Sequence, residues 1–247
     1  MGHLIMCGRF TSTTPASELA DFFHAETDLT DGPPNYNVTP TSDVKVVIAD
    51  ESGRRRLDSM SWGLVPNWAE SPAIGSRLIN ARSETVATKP SFRSAFRRRR
   101  CLIPVDGFYE WVVVPERRKK QPVLISSVDG RPLAFAGIWE QWIRETDAGV
   151  DGLRSCSIIT GPPNELIAPL HDRMPMILTE EQWSPWLDPA ATDSDALQSI
   201  LRPLPSADLQ WWPVSLRVND VRNDDATLID RVEITPDGEA EGQGRLL

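Results

Sequence analysis

From Cys101 to Thr160 the chain is a procession of short apolar runs: "CLIPVDGFYEWVVV", "QPVLISS", "LAFAGIW" and "LRSCSIIT". Each is of strand length, rich in β-branched or aromatic residues, and bounded by turn formers such as Asp106-Gly107. Parallel strands need crossover connections, usually helices, and these runs do not alternate regularly with long helices. They argue against a doubly wound parallel sheet. They predict one α+β domain built around mainly antiparallel strands.

The flanking sequence fits that scheme. Thr14-Pro15 reads as N-cap and first helical residue of a helix to about His24. "VKVVIA" and "RLDSMSW" read as two strands across the Ser52-Gly53 turn. "SFRSAFRRRR" predicts a short basic helix, "PNELIAPLHDRMPMIL" a helix, a tight loop and a strand, "TEEQWSPWL" and "DSDALQSIL" two short helices, and "QWWPVS" a late strand. The domain is expected over residues 7–235, with residues 1–6 a leader or mis-assigned start and 236–247 a flexible acidic tail.

Composition closes off several function classes. No apolar run approaches the ~18 residues of a membrane helix, and no basic-then-apolar secretory signal opens the chain. The start Met1-Gly2 lacks the Ser or Thr that myristoylation wants at the sixth position, which is Met6. Cys7, Cys101 and Cys156 are far apart, so neither a disulfide framework nor a zinc site is expected. The cysteine usage suits a reducing cytoplasm. No glycine-rich nucleotide fingerprint is present. Net charge is −9, which argues against a general nucleic-acid coat. Yet residues 77–100 carry eight Lys/Arg against Glu84 alone, and phosphate binding needs only a local field.

Four residues have chemistry to offer. Cys7, in "MCGRF", is a small hydrophobe if internal. As a free N-terminus it is a 1,2-aminothiol, with an α-amine of pKa about 7.7–8 that attacks carbonyls when neutral. Its thiolate can then trap the imine in a five-membered ring. Glu110 in "DGFYEW" shares a strand face with Phe108, while Tyr109 and Trp111 take the other. It is either a desolvated proton shuttle or an edge-strand carboxylate in water. Asn80 in "LINARSET" either orients a reacting group or caps a turn. His171, in "PLHDRMP", is structural or the one imidazole placed for proton transfer; His24 reads as structural.

Taken in order, "MCGRF", "YNVTP", "WGLVPNWA", "LINARSET", "CLIPVDGFYEW", "KKQPVLI", "FAGIWE", "SIITGPPNELIAPLHDRMPMIL" and "WPVS" followed by "VN" resemble the SRAP family, the SOS-response-associated peptidases or abasic-site-processing proteins. The resemblance runs over roughly residues 6 to 230. It implies a barrel-like β-sheet with short peripheral helices and no cofactor or metal. It further implies binding of single-stranded DNA that carries an abasic site, and a covalent thiazolidine between Cys7 and the ring-opened sugar. By the same resemblance Asn80 would position the amine, Glu110 would shuttle protons, and His171 would assist at the sugar oxygen. Arg9, Pro40, Trp68, Arg82, Ser83, Thr160 and Arg173 would contact DNA, with Trp68 stacking on bases and arginines meeting phosphates. Where relatives often carry a second aromatic, this chain has Ala69. Trp62 is expected in the core, and the run Arg97 to Arg100 reads as either a DNA contact or a solvated helix end.

Proteins of this family are also thought to remove residues ahead of their cysteine. Here a start at Met6, followed by its loss, is the simpler expectation. A monomer is expected. Three rival readings remain: an N-terminal-nucleophile amidotransferase, a thiol peptidase using Cys7, His171 and Asn80, and a passive single-strand binder.

Overall fold

The structure is a computed structural model that describes residues 8–115, 117–146 and 149–234. Cys7, the expected leader and the expected acidic tail lie outside the described residues.

One sheet closes on itself. Strands β4 (Asp43–Ala49), β5 (Arg55–Trp62), β7 (Arg100–Val105), β10 (Leu133–Thr146) and β11 (Gly149–Gly161) follow one another in the order β11-β10-β7-β4-β5. β5 then returns to β11 in parallel, pairing Ser61 with Ser155 and Trp62 with Cys156. The result is a five-stranded barrel. β2 (Ala25–Thr27) and β12 (Met174–Pro175) extend it, and β6 (Asn80–Arg82) lies parallel to β11 just beyond β5. A second sheet runs β13-β9-β8-β1-β3, from Leu209–Pro213, Gln121–Ser127, Gly107–Val112, Phe10–Ser12 and Asn35–Val38. Most pairs are antiparallel, as the runs predict; the parallel exceptions β2–β5, β5–β11 and β6–β11 are short.

β7 is buried at every residue, which accounts for its unbroken apolar run. One side faces the barrel. The other is covered by α2 (Arg93–Arg98) and α3 (Glu180–Leu187), whose Trp186 donates its indole N–H to the Cys101 carbonyl at 2.9 Å. The two sheets meet through aromatic pairs: Phe108 packs edge-on to Phe135 with centroids 5.5 Å apart, and Phe10 lies 5.0 Å from Trp62. A smaller core of Tyr109, Leu124, Val214, Val218 and Leu228 sits apart. It joins the second sheet to a strap at residues 214–229.

Three local expectations change. Pro15, not Thr14, is the N-cap of α1 (Ala16–Phe22). Thr14 instead hydrogen-bonds Asp106 through both its backbone and its hydroxyl. His24 is beyond the helix, with φ +51. The expected helix in "PNELIAPL" is a series of turns: Asn164 caps it through the Ile167 N–H, but Pro169 has no N–H to continue the ladder.

The arginine run is also divided. Arg97 and Arg98 are exposed, but Arg99 pairs with the buried Glu140 at 2.7 Å. Arg100 opens β7, only 4% exposed. It donates to the carbonyls of Phe96 (3.0 Å) and Trp186 (2.6 Å) and to that of Asp188. A guanidinium thus satisfies carbonyls left over at the ends of two helices. Half of the run is scaffold rather than solvated surface. No described helix is long and apolar enough to cross a membrane.

Candidate functional site

β8 carries the site's carboxylate. Its alternation holds: Phe108 packs into the main core, while Tyr109 and Trp111 turn to the second cluster. Glu110 therefore points inward with Phe108 and is 2% exposed. β8 is an interior strand between β9 and β1, so the solvent-facing reading of Glu110 is overturned. A carboxylate this deep needs a dedicated use, since removing it from water is costly.

The chain's N-terminal end runs antiparallel beside it. Phe10 pairs with Phe108, and the Tyr109 N–H donates to the Arg9 carbonyl at 3.0 Å. One further step of that register sets Gly8, the first described residue, opposite Glu110.

A second group forms where β6 meets β11. Asn80 is half-buried opposite Ile158, and Arg82 opposite Thr160. The Ser83 N–H donates to the Thr160 carbonyl at 2.8 Å. Arg173 donates to the same carbonyl at 2.6 Å and grips Glu84 with two bonds of 2.8 Å each. That fork holds the Glu84 carboxyl below its ordinary value, the hydrogen bond from Arg173 being the largest cause. Ser83, Thr160 and Arg173 are thus one knot, in which Thr160 is buried and Arg82 exposed.

His171 stands two residues before Arg173, its side chain 14% exposed. Its Nδ1 lies 3.2 Å from the Arg173 N–H, from which it can accept, and 2.8 Å from an Asp172 carboxylate oxygen, to which it can donate when it carries a proton. Burial lowers its pKa, the nearby Asp172 carboxylate opposes the shift, and Lys120 and Arg173 reinforce it. Burial is the leading cause, so the neutral form prevails at neutral pH.

Trp68 is set on an excursion from the barrel between β5 and β6. Gly63 and Gly75 pinch its base: at Gly63, with φ +140, a Cβ would lie 2.6 Å from the Gly75 carbonyl oxygen. Farther out, Trp142 donates to the Ala69 carbonyl at 2.7 Å and Arg144 to that of Glu70 at 2.8 Å. The held loop leaves Trp68 58% exposed, whereas Trp62 is fully buried, as expected. Pro40 is half-buried in the β3–β4 turn.

Arg9 departs from the picture of an open phosphate contact. It is half-buried, bonded to Asn37 and the Val218 carbonyl, and burial lowers its pKa. Asn37 escaped the sequence reading, and Trp111 entered it only as a residue facing away from Glu110, because neither offers reactive chemistry. Among the described residues no three His, Cys, Asp or Glu side chains group as a metal site.

Fold and site define a class: a single-domain, small-barrel protein whose N-terminal strand runs beside a buried carboxylate. The chain belongs to the SRAP family, whose model, described as SOS response associated peptidase (SRAP), matches residues 6–221. Among its relatives is the abasic site processing protein YoqW of Bacillus subtilis, 42% identical over 91% of this chain and 99% of its own. The Escherichia coli abasic site processing protein YedK is 30% identical over 92% of this chain and 100% of its own. A solved structure from Bacteroides thetaiotaomicron superposes with a TM-score of 0.80 at 25% identity, covering 92% of this chain and 100% of that one.

Proposed function

We propose that this protein recognises abasic sites in single-stranded DNA and joins itself to them through Cys7. Its relatives are named for processing abasic sites. The observation that carries the reading is the register of β1 on β8, which leads the N-terminal end of the chain to the buried Glu110.

The chemistry needs no cofactor. Abasic deoxyribose is mainly a closed hemiacetal. A proton must leave its hydroxyl and another must reach the ring oxygen before the aldehyde is exposed. Glu110 suits the first transfer, and the imidazole of His171 the second. The Cys7 amine then adds to the aldehyde carbon, and the carbinolamine loses water to give an imine. Thiolate addition to the imine carbon closes the thiazolidine, with a proton returned to nitrogen. Aldehyde and aminothiol give thiazolidine and one water, with no change of oxidation state. Asn80 would orient the amine, and Trp68 offers a stacking face for a base beside the lesion.

The amine exists only when nothing precedes Cys7. Initiation at Met6 with removal of that methionine provides it, as would self-cleavage before Cys7. The first is the simpler route. The test is incubation with an oligonucleotide bearing one abasic site, followed by denaturing electrophoresis. A heat- and detergent-stable adduct is expected from the wild type, and none from Cys7→Ala. An adduct that survives Cys7→Ala refutes the assignment. A glutaminase activity indifferent to DNA would favour the amidotransferase instead.

A further inference from the structure

We propose that Arg9 is a positioning residue, clamped by the strap at residues 214–229 so that the N-terminal amine is set against Glu110, rather than a contact to DNA phosphate. The inference rests on the crosslinking reading above and concerns how its nucleophile is aimed.

Alternation along β8 gives the strand two tasks. Its inner face presents Glu110; its outer face presents Tyr109 and Trp111 to the strap. Arg9 lies on β8's neighbour and engages that outer side. One guanidinium nitrogen donates to Asn37 at 2.7 Å and to the Val218 carbonyl at 2.9 Å. The guanidinium carbon stands 5.8 Å from the centre of the Trp111 ring. Trp111 in turn donates its indole N–H to Asn219, the strap residue next to Val218, at 2.6 Å. Asn37 ties the other end of the strap, giving its amide hydrogens to the carbonyls of Asn223 (2.7 Å) and Asp220 (3.2 Å).

The result is a closed ring of contacts through Arg9, Trp111, Asn219, Val218 and Asn37. It holds the backbone two residues after Cys7, where the Tyr109 N–H bonds the Arg9 carbonyl. A terminal strand has no preceding chain to hold it and otherwise frays. One guanidinium nitrogen that meets two acceptors, with the planar group over an indole, fixes direction as well as distance. Half-burial and these partners turn Arg9 away from the role of mobile surface cation.

Arg9→Lys and Asn219→Ala test this. Lysine keeps the charge but loses the planar guanidinium over Trp111; Asn219→Ala leaves Arg9 intact and only releases Trp111. Two quantities are read for each: the rate of adduct formation with saturating abasic oligonucleotide, and the affinity and salt dependence for the same strand without the lesion. Both variants should slow the adduct by roughly 10- to 100-fold, the scale on which misplaced reacting groups lose rate. Affinity and salt slope should stay at wild-type values. Asn219→Ala crosslinking at the wild-type rate overturns the inference. So does Arg9→Lys weakening unmodified DNA while its rate at saturation holds. A wild-type protein that forms no adduct refutes the crosslinking reading itself, a result distinct from either.

Discussion

Arg173→Ala should cost this protein stability before it costs DNA binding. The Arg173 side chain is 14% exposed and makes three charge-assisted bonds, two to Glu84 and one to the Thr160 carbonyl. Glu84 is 47% exposed and rehydrates when its partner leaves, so that pair is worth only about 0.5–1 kcal/mol. The Thr160 carbonyl keeps the Ser83 N–H. It loses a bond to a charged donor in a buried setting, worth about 1.5–3 kcal/mol. The sum is about 2–4 kcal/mol, or a fall in Tm of roughly 4–16 °C for a domain this size. Calorimetry on the wild type, Arg173→Ala and Arg173→Lys measures it. Lysine, with a charge but no fork, should fall in between. A Tm for Arg173→Ala within about 1 °C of wild type, with weakened DNA binding, would refute the reasoning and make Arg173 a phosphate contact.

Other outcomes follow from the same geometry. Glu110→Gln preserves shape at a buried position and removes the proton acceptor, so adduct formation should slow by about 10²–10⁴-fold with the folded spectrum retained; wild-type kinetics would exclude Glu110 from proton transfer. His171 should titrate below the ordinary histidine value of about 6.5, because burial lowers its pKa. The unfolded chain then takes up a proton that the folded one resists. This contribution to stability therefore declines as pH drops through about 6.5 and levels off below the folded pKa. NMR titration and unfolding curves across pH check both, and a folded pKa above 6.5 would contradict them. Trp68→Ala should weaken single-strand binding by about 5- to 150-fold, the worth of one stacking platform at about 1–3 kcal/mol. It should leave Tm unchanged, because the ring is largely exposed; fluorescence anisotropy and calorimetry separate the two effects.

Elements whose identity is written in local chemistry were legible in the sequence. The apolar runs with turn formers became β7 to β11, and the alternation in "GFYEW" assigned Glu110 and Trp111 to opposite faces. Features decided by distant partners were not. Nothing near Arg100 announces that two helix ends will need a cation, so a run of four arginines looks uniformly solvated. The turns after Asn164 are a local case: they carry good helix formers, and the helix stops short because Pro169 lacks the N–H to continue it. Closure of the barrel by β5 on β11 joins segments about ninety residues apart, for which local periodicity holds no signal. The candidate site was legible as residue types, in Glu110, Asn80 and His171. Its supports, Asn37, Trp111 and Asn219, were not, because a hydrogen-bonding asparagine resembles any turn residue until its partners are known.

The central claim is that the bond to DNA forms at the α-amine and thiol of Cys7. Intact-mass spectrometry of the protein after reaction with a short abasic oligonucleotide, followed by peptide mapping, tests it most directly. The predicted product has the mass of a chain beginning at Cys7 plus the oligonucleotide minus one water, with the link on the first residue. An adduct on a chain that still carries Met1 or Gly2, or a link at any other residue, would contradict the account.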